Sequence, residues 1–274
     1  MKIVFWSPVH GQAATTSNLL TVAITSVLNN KYKNLITQSH YNLNNFERPI
    51  IGTSIKELSE QFADVGVDAL ARFQKTIPLN EEIIENCCIS LLSQRLNLLP
   101  GTTMLNEELF EKEMISAFPS ILKASEEYHD IVFVDANSGR RNKITNKILE
   151  EADLIVVNHS QNISVIEDFF NNYSFDEKKT LYLIGNYNYQ SKYNLRNLIN
   201  SYKQFNKSNL AAIPYNVEYL DAQSSGEAIK FLVRNQNCDK YDSNYYFIKT
   251  IKESSNLILN KMNAKKKIGR RYSR

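Results

Sequence analysis

Residues 7–18 read SPVHGQAATTSN, set between the apolar run KIVFW (2–6) and the longer one LLTVAITSVL (19–28). A buried strand, a tight turn and a helix opening on hydroxyl residues form the layout of a phosphate-binding loop. In such a loop, backbone N–H groups and the helix N-terminus hold the anion, a lysine neutralises it and a hydroxyl faces Mg2+. The strict pattern G-x-x-x-x-G-K-[ST] is not met: Gly11 is the one glycine of the stretch, and there is no lysine. Thr16 or Ser17 could equally cap an ordinary helix. Taken alone, the stretch leaves both readings open.

Outward from this stretch, short apolar runs recur at 2–7, 34–39, 96–100, 130–136, 153–158, 180–186 and 209–215. Most are apolar without alternation, as expected of strands buried on both faces. Helical periodicity lies between them, at 16–30, 54–62, 66–75, 80–94, 106–127, 141–150, 161–172, 191–203, 222–233 and 243–261. Strand and helix in alternation predict an α/β fold with a mostly parallel sheet of about seven strands and helices on both faces. With 274 residues and no linker rich in Gly, Pro or Ser, one domain over 1–262 is expected, carrying a helical insertion at 54–95.

Hydrophobic residues make up 43% of the chain and charged residues 22%, ordinary for a soluble globular protein. The net charge of +3 does not by itself announce a nucleic-acid binder, but the closing stretch KMNAKKKIGRRYSR concentrates basic residues. Residues 263–274 are expected to be a solvated, disordered tail that could contact an acidic protein, an anionic membrane or nucleic acid. No run reaches the roughly 18 apolar residues of a membrane span. The start lacks a signal-peptide layout, and three cysteines, two of them adjacent (Cys87, Cys88), match neither a metal site nor a disulfide framework. A reducing cytoplasm is the expected setting.

Ligands of open α/β sheets sit beyond the carboxyl ends of the strands, and those ends carry a resemblance. The chain resembles the MinD/ParA class of P-loop ATPases, whose loop runs K-G-G-x-G-K-T-T. On that pattern His10 stands at the signature lysine and Gly11 at the first glycine. Gln12, Ala13 and Ala14 follow, Thr15 replaces the phosphate-binding lysine, and Thr16 and Ser17 replace the two threonines. At the second strand end, TQSHYNLNNFE, the class has D-x-D, and here Gln38 and His40 stand at those positions. YHDIVFVDANSG matches the strand ending in a single Asp, so the resemblance implies that Asp135 and Thr16 hold Mg2+. In LYLIGNYN and AAIPYN it implies that Asn186 meets the adenine edge and that Pro214 and Tyr215 wall its other side.

Within the class the likeness is nearest to the TadZ/CpaE branch, localisation factors of Tad pili and related secretion machines. The resemblance therefore implies ATP and Mg2+ as ligands, a homodimer, and protein partners in a membrane-associated assembly at the membrane or cell pole. Hydrolysis is expected to be weak or absent. A charge-assisted hydrogen bond contributes roughly 1.5–3 kcal/mol, and basic contacts to a transferring phosphoryl group are worth on the order of a thousandfold in rate. The neutral hydroxyl of Thr15 and the titratable His10 replace lysines, and His40 replaces a water-positioning carboxylate. The expectation is a pseudo-ATPase with no catalytic residue, Asp135 and His40 standing at the positions where the class has them. Two alternatives remain. One is an active ATP-dependent dimeric switch that borrows Lys143, Lys147 or Lys192 for the phosphates. The other is a partition protein that binds DNA non-specifically.

Overall fold

The computed structural model of the chain describes residues 1–41, 46–53, 57, 64–139 and 142–272, with side chains described as far as 262. Eight strands form a single sheet: β1 (Lys2–Trp6), β2 (Asn34–Gln38), β3 (Ile89–Leu91), β4 (Leu96–Leu98), β5 (Ile131–Asp135), β6 (Leu154–His159), β7 (Thr180–Tyr187) and β8 (Leu210–Pro214). Their order is β3-β4-β2-β5-β1-β6-β7-β8, parallel throughout except for the β3–β4 pair. The sheet thus has one strand more than the sequence patterns indicate.

Adjacent residues of each strand face opposite layers. Val4, Trp6, Val132, Val134, Ile155 and Val157 enter one core, while Ile3, Phe5, Ile131, Phe133, Leu154 and Val156 enter the other. The unbroken apolar runs follow from that double burial. The first core is covered by α3 (Val67–Phe73), α4 (Glu81–Asn86), α5 (Glu107–Tyr128), α6 (Lys143–Glu150), α7 (Ile163–Asn172) and α8 (Leu195–Ser201). The second lies under α1 (Thr15–Asn29), α9 (Val217–Ser224), α10 (Ala228–Asn235) and α11 (Tyr245–Tyr272), with the short α2 (Arg48–Ile51) beside them.

Several expectations change in detail. The helix expected over 80–94 ends at Asn86, and the chain turns into the β3–β4 hairpin, so the 54–95 insertion is not helical throughout. The helix expected at 54–62 falls outside the described residues apart from Glu57. The single helix expected at 222–233 is two, α9 and α10, separated at Gly226. There φ is +78°, and a Cβ would stand 2.2 Å from Gly52 Cα, so only glycine fits the crossing. Where a disordered tail was expected, α11 runs on to Tyr272. Among the described residues no helix is long and apolar enough to cross a membrane.

Candidate nucleotide site

The loop after β1 and the start of α1 form one wall of a cavity of about 400 Å3 at the carboxyl edge of the sheet, lined by His10, Gly11, Ala14, Thr15, Thr16 and Ser17. Strand order supplies the opposite wall. β5 lies beside β1, and β2 lies beside β5 with Gln38 paired to Asp135. Asp135 and the following Ser138 therefore reach the cavity from one neighbour, and His40 with Phe46 from the next.

Two residues of the loop take left-handed backbone conformations. Gly11 has φ +73°, and Ala14 takes the left-handed conformation at φ 52°, ψ 38°. For a residue bearing a Cβ that conformation costs about 1–2 kcal/mol. Buried contacts hold it. Asn18 Nδ2 donates to Ala13 O at 2.8 Å and to Asn158 Oδ1 at 2.9 Å. Gly185 on β7 passes so close that a Cβ there would stand 2.1 Å from Ala13 O. On the outer side, Ser17 Oγ and Gln223 exchange hydrogen bonds, with Gln223 Nε2 donating at 2.8 Å. Thr21 Oγ1 donates to Tyr219 Oη at 3.0 Å, and burial pushes the Tyr219 phenol up to about 12.

The N-terminus of α1 is one of several without a side-chain cap, as are those of α2, α3, α7 and α10. Asparagine side chains cap α4, α5, α6, α8 and α9, whereas α1 begins at Ala14 with no side-chain cap. Its first N–H groups are thus left facing the cavity, the arrangement by which helix starts bind anions.

Opposite it stands a carboxylate. Asp135 is 1% exposed, and its Oδ2 accepts from Thr16 Oγ1 at 2.5 Å. His40 Nε2 lies 3.5 Å from the same oxygen. Thr16 and Asp135, the two oxygen donors assigned to Mg2+ by resemblance, do face each other, but an imidazole shares their position. Gln38, the other D-x-D position, turns away. Its Nε2 donates to Glu47 Oε1 at 3.3 Å, and that oxygen also accepts from Gly101 N at 2.9 Å. Desolvation raises the Glu47 pKa above the ordinary carboxyl value, against the lowering effect of those bonds.

Not every expected site residue arrives in this cavity. Gln12 is exposed and Ala13 buried, and neither lines it. Asn186 (φ 48°) and Tyr215 are exposed and Pro214 is buried in β8. All three sit at β7 and β8, on the far side of β6, and none lines the cavity. Lys143, Lys147 and Lys192 are exposed and do not line it either. Among the described residues its walls carry no Lys or Arg. Phe46, Ser138, Asn18, Asn158, Gly185 and Gln223 shape the site without having been singled out from the sequence. Phe46 and Ser138 do lie inside the motif stretches at the second and fourth strand ends.

No family model and no curated protein matches the sequence. Solved structures do match the fold. The ParA family ATPase of Chlorobium tepidum superposes with a TM-score of 0.70 at 9% identity, covering 93% of this chain and 98% of that one. The cell division ATPase MinD of Pyrococcus furiosus gives 0.64 at 15% identity, covering 94% and 98%. A putative plasmid partition protein of Borrelia burgdorferi, bound to AMPPNP, gives 0.60 at 13% identity, covering 95% and 99%. The chain has the α/β fold of the ParA and MinD ATPases, with their mostly parallel sheet and flanking helices.

Proposed function

We propose that the protein is a pseudo-ATPase of MinD/ParA-like fold that serves as a localisation or assembly adaptor, most closely for a Tad-type pilus or secretion machine. One observation carries this reading: the cavity over Gly11–Ser17 has a carboxylate in its wall and no described lysine or arginine to meet a triphosphate. Because Asp135 is buried, its repulsion of a polyphosphate is only partly screened, and the uncapped start of α1 offers partial charges in place of a full cation. The AMPPNP bound by the Borrelia neighbour supports a nucleoside triphosphate such as ATP as the ligand, and Mg2+ follows from the resemblance. Occupation without turnover is the outcome this chemistry favours.

The adaptor role needs surface rather than catalysis. Asn216 Nδ2 donates to Asn244 Oδ1 and so joins the end of β8 to the start of α11. Exposed Tyr215, Val217, Tyr245 and Tyr246 flank that junction. We place the homodimer, partners in a membrane-associated assembly, and a cytoplasmic position at the membrane or cell pole within the same proposal. Purified protein with ATP and Mg2+ is expected to release phosphate no faster than an Asp135→Ala control. Turnover that depends on Asp135 would overturn the reading.

A further inference from the structure

Mg2+ takes oxygen ligands in near-octahedral geometry and keeps several waters. The side chains at Asp135 depart from that preference. Besides the Thr16 hydroxyl and the carboxylate there is the imidazole of His40. Two polar atoms there have no hydrogen-bond partner although both are withdrawn from solvent: Nε2 of His40, a residue 7% exposed, and Oδ1 of Asp135. Buried polar atoms are normally partnered, and an unpaired one calls for an ion or a water.

The spacing adds a second, geometric indication. His40 Nε2 and Asp135 Oδ2 are 3.5 Å apart, long for an N–H···O hydrogen bond. With bonds of about 2.0–2.1 Å, two ligands of one tetrahedral cation stand about 3.3–3.4 Å apart. Two ligands of octahedral Mg2+ would stand about 2.9 Å apart. Thr16 Oγ1, donating to the same Oδ2, fixes the carboxylate's orientation as outer-shell partners of metal ligands do.

We propose that His40 Nε2 and the Asp135 carboxylate, oriented by Thr16, bind a divalent transition cation of the zinc type where the family resemblance places Mg2+. Imidazole nitrogen beside carboxylate favours Zn2+ over Mg2+, and the spacing fits the tetrahedral geometry of Zn2+. Among the described residues no third His, Cys, Asp or Glu joins the pair in a metal-holding cluster. The remaining coordination positions therefore open on the cavity, where water or a phosphate oxygen can take them. The site stands whether or not the protein hydrolyses ATP, because it requires no nucleotide.

The test is calorimetric titration of the nucleotide-free protein with Zn2+ and, separately, with Mg2+. Wild type is expected to bind one Zn2+ at least about tenfold more tightly than Mg2+. His40→Ala and Asp135→Asn should each weaken Zn2+ by about tenfold or more, the scale on which altered metal shells act. His40→Asp should shift the preference toward Mg2+. Thermal unfolding without metal checks that each variant folds, and His40→Gln replaces His40→Ala if the smaller residue does not. Zn2+ binding that survives loss of the imidazole would assign it elsewhere, for instance to the half-buried thiols of Cys88 or Cys238, and would overturn the proposal. So would wild-type protein that takes up Mg2+ as readily as Zn2+, or neither ion.

Discussion

The carboxamides of Asn18 and Asn158 meet at 2.9 Å in the interior, joining the first turn of α1 to β6. Asn158 Nδ2 in turn donates to Val156 O at 2.9 Å and Trp6 O at 3.3 Å. The pair thus ties β6 to β1, while Asn18 alone holds the Ala13 carbonyl. Asn18→Ala removes the donor to both Ala13 O and Asn158 Oδ1. Leaving buried polar groups unpaired costs about 1–3 kcal/mol, and urea denaturation should show a loss of that size. A double-mutant cycle with Asn158 should then be non-additive. Additive losses would mean that the two amides do not act together.

His159 closes β6 inside an aromatic cluster, with Phe169 at 4.9 Å between ring centroids and Tyr182 at 6.3 Å. Neither ring nitrogen has a hydrogen-bond partner among the described residues, and burial lowers the pKa to about 3. A folded pKa below the unfolded value of about 6.5 places the full stability above pH 6.5 and removes it as the pH falls toward 3. At pH 5 the loss is roughly 2 kcal/mol. His159→Phe should flatten the acid limb of the stability profile and raise Tm at pH 7. An unchanged acid limb would show that this ring does not set it.

Glu47 has the opposite sign. Its carboxyl is buried, Oε2 has no described partner, and desolvation is the largest influence on its raised pKa. Stability is fully present below the ordinary carboxyl range and declines as the pH rises through the folded value. Glu47→Gln keeps the acceptor for Gly101 N and Gln38 Nε2 while removing the ionisation. Chemical denaturation should find the variant at least as stable as wild type, with an advantage that grows from pH 5 to pH 8. A deficit at pH 8 would place a cation near Glu47.

The parallel sheet was legible because doubly buried strands leave apolar runs, and β1, β2, β5 and β6 lie within a residue of the expected positions. The hairpin at 89–98 was not. Its turn uses Leu92, Ser93 and Gln94, all at positive φ, where a sequence would be expected to show Gly or Asn. The break at Gly226, inside the helix expected over 222–233, was not legible either, because the contact with Gly52, far away in sequence, is what makes it necessary. In the site, the loop and Asp135 were readable as strand ends. The meeting of His40 with Asp135 depends on the β2–β5 register and could not be read locally. Asn186, Pro214 and Tyr215 lie two and three strands from β1, at about 4.8 Å per strand, which sets them apart from the cavity.

Among the described residues no lysine or arginine lines the cavity at the mouth of α1, and supplying one shows most plainly what that lack does to a triphosphate. Thr15→Lys places an ammonium at the position the resemblance gives to the phosphate-binding lysine, facing the cavity from the start of α1. Calorimetric titration with ATP and Mg2+ should show affinity at least about tenfold higher than wild type, as a charge-assisted bond of roughly 1.5–3 kcal/mol requires. Wild-type protein that already binds ATP tightly, with no gain in the Thr15→Lys variant, would contradict the account, since a cation from elsewhere in the chain would then already serve the phosphates.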